Sequence, residues 1–345
     1  MTIVAAVLCQ APCAHSTGVE EGGSAAAVTL GHTPSPDLFA FQDTTPRTQK
    51  HPAAAPAFTH AVSVLYTGLW GTASNKTEFS SGVSTLDWPM DSSLVGGEYR
   101  GRYRDIAEFA LSIQACPWTR SVHDMKDSDT LDDAAYGYAT HDGVDIYSES
   151  ATDSKAFVLN AELRAYPLSY GYASVGLITG WRSLEMDFKT YDLRQTGYGS
   201  WTAYTMDLPG PISTYNLTCE YYTLGLTWRL KAGEQASLTV DTAIIPYARV
   251  SDEDEHLRRF RSSETDCDGS GTALSVTGRL ALTPRWFVST SCSRVRITAD
   301  GHQKQYWWGN DPGAAGNETG TGISGIDAKM KQDSLQIGLS LGCSL

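Results

Sequence analysis

A strict alternation of apolar and small or polar residues runs through the last segment of the chain. Its apolar positions are Leu335, Ile337, Leu339, Leu341, Cys343 and Leu345. Successive side chains of a strand point to opposite faces, so this pattern predicts a strand with one apolar and one polar face. The same alternation recurs around 222–230 and 274–282. The chain is therefore constrained to an all-β fold whose strands are apolar on one side.

Short and long connections alternate between the predicted strands. Brief turns fall near 104–105, 167–169, 232–235 and 283–285, and long polar stretches near 131–152, 190–212, 257–268 and 300–331. Tight turns at one end and long loops at the other are typical of a transmembrane β-barrel. No stretch approaches the ~18 consecutive apolar residues of a spanning helix. The sequence thus predicts a ten-stranded antiparallel barrel in the outer membrane.

The ten predicted strands cover most of the chain beyond residue 58. They are 59–73, 80–104, 106–130, 153–166, 171–190, 213–231, 236–256, 268–283, 286–303 and 333–345. Residues 1–14 have the short apolar core of a signal peptide. Residues 15–58 are rich in Ala, Thr, Pro and Gly, and we predict them to be disordered. The barrel is assigned to 59–345.

The net charge of the chain is -13. Phosphate binding needs concentrated Lys and Arg, so nucleic acid is excluded as a partner. An acidic surface favours basic partners instead.

Two acidic clusters lie where long strands run into predicted outer loops. Residues two apart on a strand share a face, so Asp127 with Asp129 and Asp254 with His256 form two same-face pairs. A carboxylate orients an imidazole as a base, and two adjacent carboxylates tend to hold a proton between them. Facing one another, the pairs could activate a water without metal or cofactor. Solvated loop charges and a calcium site are the alternative interpretations.

These segments resemble the omptin family of outer-membrane proteases. Residues 127–132, Asp-Ser-Asp-Thr-Leu-Asp, are similar to the omptin Asp-x-Asp segment, and residues 252–256, Asp-Glu-Asp-Glu-His, to the omptin Asp-Asn-Asp-Glu-His segment. Residues 84–88 and 222–227 resemble the second-strand and sixth-strand motifs. The motifs occur in the family's order, and the resemblance covers about 59 to 345.

The resemblance implies an endopeptidase that cuts next to basic residues. It implies that Asp127 and Asp129 form the catalytic pair and that Asp254 and His256 form the dyad. It also implies that Asp252 binds the basic side chain before the scissile bond, with Glu78 as the best match for a second such acid. The alternative function is a catalytically silent barrel that acts as an adhesin or structural protein.

One departure from the family concerns lipopolysaccharide. Omptins bind this lipid through charged groups on the barrel exterior. The matching positions here are Trp181, Ser183, Glu185, Thr218 and Thr265, none of which is basic. We therefore expect an outer-membrane lipid environment but no dependence on lipopolysaccharide, unless Arg182 and Lys189 restore the site in another register.

Overall fold

The structure is a computed structural model that describes residues 57–140, 142–311 and 316–345. The predicted signal peptide and nearly all of the predicted disordered segment lie outside these residues. Within the described residues, no helix is long and apolar enough to cross a membrane.

The described chain is almost entirely β-strand, with one short 3₁₀ helix at Gly199–Tyr204. The strands are β1 (Phe58–Phe79), β2 (Gly82–Pro89), β3 (Ser92–Tyr103), β4 (Ala107–Arg120), β5 (Met125–Leu131), β6 (Ile146–Tyr170), β7 (Ala173–Gly197), β8 (Met206–Ala232), β9 (Ala236–His256), β10 (Arg261–Ala281), β11 (Trp286–Trp307) and β12 (Gly322–Ser344).

All strands join one closed antiparallel sheet. From β6 to β12 each strand pairs with the next along the chain, and β12 closes the ring by pairing with β1 from Ala61↔Ser344 to Glu78↔Asp327. Two ring positions are interrupted: β1 pairs with both β2 and β3, and β6 with both β4 and β5. The twelve segments therefore make a ring of ten strands, which confirms the predicted ten-stranded barrel. Closure satisfies the backbone hydrogen bonds that an open sheet edge would leave unpaired in lipid.

An apolar belt surrounds the outside of the barrel near its tight-turn end. Its exposed members include Val62, Val64, Leu111, Ile113, Leu163, Leu177, Leu224, Leu226, Ile244, Leu274, Leu339 and Leu341. Toward the other end, the outward positions become charged, as in Glu253 and Glu255 of β9 and the Lys304–Glu264 ion pair. Charged side chains do not face the hydrocarbon core, so this charged end of the barrel stands outside the membrane.

The lumen is packed with side chains. A buried apolar cluster occupies its middle, where Trp88 stacks on Tyr215 at 4.2 Å between ring centroids and contacts the tilted ring of Phe188 at 5.3 Å. Nearer the tight-turn end, Glu108 binds four arginines: Arg100 at 2.6 Å, Arg229 at 2.7 Å, Arg102 at 2.9 Å and Arg164 at 3.8 Å. Buried charges persist when they are paired in this way. The apolar cluster forms a floor below the wide end of the barrel.

Some predicted connections differ in length from the observed ones. The stretch 257–268 was predicted as a long loop, but only 257–260 separate β9 from β10. The turn predicted at 167–169 lies at 171–172, because β6 continues to Tyr170. At 261–268 the strand extends through polar residues, since the hydrogen-bonded ladder continues beyond the apolar belt.

Candidate functional site

Asp127 and Asp129 project from β5 into the wide mouth of the lumen. Met125 on the same strand is buried in the apolar cluster, and side chains two apart share its inward face. The hydroxyl of Ser84 on β2 donates to Oδ1 of Asp127 at 3.3 Å. Burial raises the pKa of Asp127 well above its ordinary value, and the adjacent Asp129 raises it further. The pair therefore keeps a proton to higher pH than two isolated carboxyls would.

Asp254 and His256 project inward from β9. Nε2 of His256 lies 2.9 Å from Oδ2 of Asp254, and the Asp254 side chain is almost fully buried. Burial lowers the pKa of His256 despite the opposing effect of Asp254. The imidazole is thus neutral near neutral pH and can accept a proton.

The two pairs face each other across the lumen. In the ring, β5 and β9 are four positions apart, with β6, β7 and β8 between them. The negative charge of Asp254 contributes to the raised pKa of Asp127, while His256 partly offsets the raised pKa of Asp129. The structure therefore brings together the four residues that the sequence predicted to be catalytic. A water between them would meet a neutral base on one side and a proton-holding carboxyl pair on the other.

Asp252 lies deeper on the same face of β9. Its Oδ2 accepts hydrogen bonds from Tyr215 at 2.8 Å and from the Asn75 amide at 2.6 Å. Burial raises the pKa of Asp252 to about 7. Its Oδ1 and the Oδ1 of Asn75 are buried without a hydrogen-bond partner among the described residues. Buried acceptors are normally hydrogen-bonded, so the free oxygens of Asp252 and Asn75 can bind a polar or cationic side chain.

Glu78 does not join the site. It lies on the outward face of β1, is more than half exposed and forms an ion pair with Lys76 at 2.6 Å. The inward residues of this part of β1 are Asn75 and Thr77. The assignment of Glu78 to substrate binding is therefore contradicted, because strand alternation turns its side chain away from the lumen.

Arg261 is a site residue that the sequence analysis missed. It is the first residue of β10 and pairs directly with His256 of β9. Its Nη2 lies 2.8 Å from Nε2 of His256, and its Nη1 lies 3.4 Å from Oε1 of Gln305. Burial lowers its pKa to about 10, so it stays charged at neutral pH. The sequence predicts a long loop at 257–268, whereas the observed turn is 257–260. This short turn is what places Arg261 opposite His256.

Neighbouring acids of the two clusters have other partners. Asp133 accepts the indole N–H of Trp201 at 2.9 Å, and Asp132 accepts the backbone N–H of Ala134 at 3.1 Å. Asp124 lies 3.4 Å from Arg194. The contacts of Asp124, Asp132 and Asp133 stabilise the outer loop. Asp127 and Asp129 are the members of this acidic cluster that point into the lumen.

The exterior positions compared with the lipopolysaccharide site are partly misplaced. Thr265 lies inside the lumen, where its hydroxyl accepts hydrogen bonds from Asn75 and Gln303. Arg182 also points inward and donates to Gln336 at 2.8 Å. Lys189 lies outside, with its ammonium 4.5 Å from the centre of the Trp118 ring.

Comparison with solved structures gives one strong likeness. The chain is similar to the outer membrane protease OmpT from Escherichia coli, with a TM-score of 0.71 and 14% identity over 85% of this chain and 99% of that one. Weaker matches include the outer membrane protein OprG from Pseudomonas aeruginosa, with a TM-score of 0.31, 10% identity and coverage of 83% and 96%. Another is the translocator domain of the autotransporter NalP from Neisseria meningitidis, with a TM-score of 0.33, 7% identity and coverage of 84% and 89%.

No protein-family model matches the chain, and no curated protein matches it in sequence. The structural likeness therefore establishes the fold. Together with the closed ten-stranded ring and the apolar belt, it confirms the predicted location: the chain is an outer-membrane β-barrel.

Proposed function

We propose that this barrel is an omptin-like endopeptidase that cleaves exposed peptides next to basic residues. The observation that carries the proposal is the meeting of the Asp127–Asp129 pair with the Asp254–His256 dyad above a packed floor. The motif resemblance and the likeness to a protease barrel support it. The packed lumen also favours chemistry at the mouth over passage of a solute.

The proposed reaction begins with a water held between the two pairs. Asp254 binds the Nε2–H of His256, which leaves Nδ1 free to accept a proton from the water. The resulting hydroxide forms a bond to the carbonyl carbon, and the carbonyl electron pair moves to its oxygen. When this oxyanion collapses, the C–N bond breaks and the imidazolium returns its proton to the amine. The substrate's basic side chain lies at Asp252.

The test uses the refolded barrel and a fluorogenic peptide with two basic residues. We expect the wild type to cleave it and His256→Ala and Asp127→Asn each to lose about 10²–10⁴-fold in kcat. Glu255→Gln is the matched control, because Glu255 is adjacent on β9 but faces outward. Heat-dependent gel mobility verifies that each variant is folded.

Two outcomes would contradict the proposal. Full activity in either catalytic variant removes the assigned mechanism, and a folded wild type that never cleaves leaves the silent-barrel alternative. Loss of activity on addition of a chelator would instead favour the calcium interpretation.

A further inference from the structure

The turn between β9 and β10 carries three arginines with different surroundings. Arg258 donates to the carbonyl oxygens of Pro209 at 2.9 Å and Pro211 at 3.0 Å. Arg259 forms an ion pair with Asp311 at 2.9 Å. Phe260 adopts a left-handed φ of 50° and packs edge-on against Trp308 at 5.0 Å. This geometry reverses the chain so that Arg261 enters the lumen.

Arg261 differs from the other two because its guanidinium is buried and part of it has no hydrogen-bond partner. Among the described residues, no carboxylate lies within ion-pair distance of its guanidinium, and its buried Nε–H has no hydrogen-bond partner. A buried donor without a partner is destabilising and is rare in native proteins. We infer that the free Nε–H of Arg261 serves an acceptor that is present only when substrate is bound.

The contact with His256 is also incomplete. One ring nitrogen, Nε2, lies close to both Asp254 and Arg261. Nε2 cannot donate to the carboxylate and accept from the guanidinium at the same time. When Asp254 holds the Nε2–H, as the base role of His256 requires, Nη2 of Arg261 also loses its acceptor. Two N–H groups of the Arg261 cation then lack an acceptor beside the Asp254–His256 dyad.

We propose that Arg261 stabilises the oxyanion formed when water attacks the scissile carbonyl. This inference rests on the proposed function. The electron pair released from the C=O bond moves to oxygen, and the Nη2–H and Nε–H groups donate to it. Fixed donors aimed at developing charge need no reorganisation during the reaction. Arg261 lies beside the Asp254–His256 dyad, with its Nη2 2.8 Å from Nε2 of His256.

The experiment compares Arg261→Gln and Arg261→Lys with Arg258→Gln, which removes a charge from the same turn but outside the lumen. For Arg261→Gln we expect kcat to fall about 10²–10³-fold with KM changed less than about threefold. Arg261→Lys keeps the charge but lacks the forked donors, so an intermediate loss is expected. Arg258→Gln is expected to match the wild type.

A pH profile separates this role from a purely positioning one. Arg261 also contributes to the lowered pKa of His256. If that were its whole role, the variant would recover full kcat once the pH was high enough to deprotonate His256. We expect the loss to persist on the pH plateau. Recovery there, near wild-type activity of a folded Arg261→Gln, or an effect confined to KM overturns the inference. An inactive wild type overturns the proposed function and this inference together, whereas an active wild type with an unaffected Arg261→Gln overturns the inference alone.

Discussion

In the proposed protease, the buried carboxyl of Asp252 makes substrate binding depend on pH. Its Oδ2 is held by Tyr215 and Asn75, and its neighbour on the inward face of β9 is Asp254. Burial raises its pKa to about 7 because the charged form loses its hydration. Only the ionised form attracts a cationic side chain. Near neutral pH, the binding corner is therefore divided between two protonation states.

We expect KM for an arginine peptide to fall about tenfold between pH 6 and pH 8, as Asp252 loses its proton. The direction follows from the raised pKa: below about pH 7 the carboxyl is mostly neutral and binds the guanidinium weakly. Steady-state kinetics on wild type and Asp252→Asn measure this, and the variant is expected to keep a high KM that does not vary with pH.

Glu78→Gln serves as the control for this prediction. Glu78 is paired with Lys76 on the outer face, so its variant is expected to retain the wild-type pH dependence. A flat KM in the wild type, or an equal effect of both substitutions, would contradict the assignment of Asp252.

Strand alternation accounts for the positions of the four proposed catalytic residues and also for the position of Glu78. Spacing alone placed Asp127, Asp129, Asp254 and His256 on shared faces. The same rule, counted from the outward Val62 and Val64, turns Glu78 outward without any structure. The substrate-binding role of Glu78 and the exterior position of Thr265 were both inferred from motif likeness, without regard to strand alternation. Contacts across the lumen, such as Asn75 with Asp252, could not be predicted, because they depend on which strands oppose each other in the closed ring.

At the scale of elements, β2 and β8 together support the floor of the site. Trp88 of β2 is fully buried and stacks nearly parallel to Tyr215 of β8, with an angle of 8° between the rings. Tyr215 in turn donates to Asp252. Packing between β2 and β8 therefore holds Tyr215, which positions the Asp252 carboxyl.

Trp88→Ala is expected to lower the free energy of unfolding by about 3–5 kcal/mol, because it leaves a large cavity beneath the site. KM is expected to rise as well, since Tyr215 loses the ring that it stacks on. Urea unfolding of the barrel in lipid vesicles measures the first effect. Trp118→Ala on the exposed outer face is the control. An equal loss of unfolding free energy in both variants would show that the Trp88–Tyr215 stack does not stabilise the barrel more than an exposed tryptophan does.

Strand existence was predictable at this scale, but strand ends were not. The alternation identified all ten ring positions, including those interrupted between β2 and β3 and between β4 and β5. The upper ends were placed too low because the apolar signal stops at the edge of the membrane, while the hydrogen-bonded ladder continues through polar residues such as those of β10. Placing Arg261 requires the position of the turn, and the turn carries no apolar pattern.

For the whole molecule, the main prediction concerns the surrounding lipid. Trp181, Glu185 and Thr218 supply no base, and Arg182 is committed to Gln336 inside the lumen. Phosphate recognition draws on charge-assisted contacts from Arg or Lys. We therefore propose that activity does not depend on lipopolysaccharide.

Titrating purified lipopolysaccharide into protein refolded in plain detergent tests this proposal. A flat response is expected. Strong activation from near zero would contradict it, and repeating the titration with Lys189→Gln would then show whether the cation beside Trp118 supplies an alternative contact.

The height of the site above the belt limits which molecules this barrel could cut. From the exposed Ile244 to His256, β9 climbs twelve residues. At about 3.3 Å per residue and a tilt of roughly 40°, that rise is on the order of 30 Å. A peptide that has already sunk into the lipid is therefore out of reach of His256. The proposed protease would therefore cleave peptides that are still in solution above the membrane. Cleavage has to occur before the peptide inserts into the lipid.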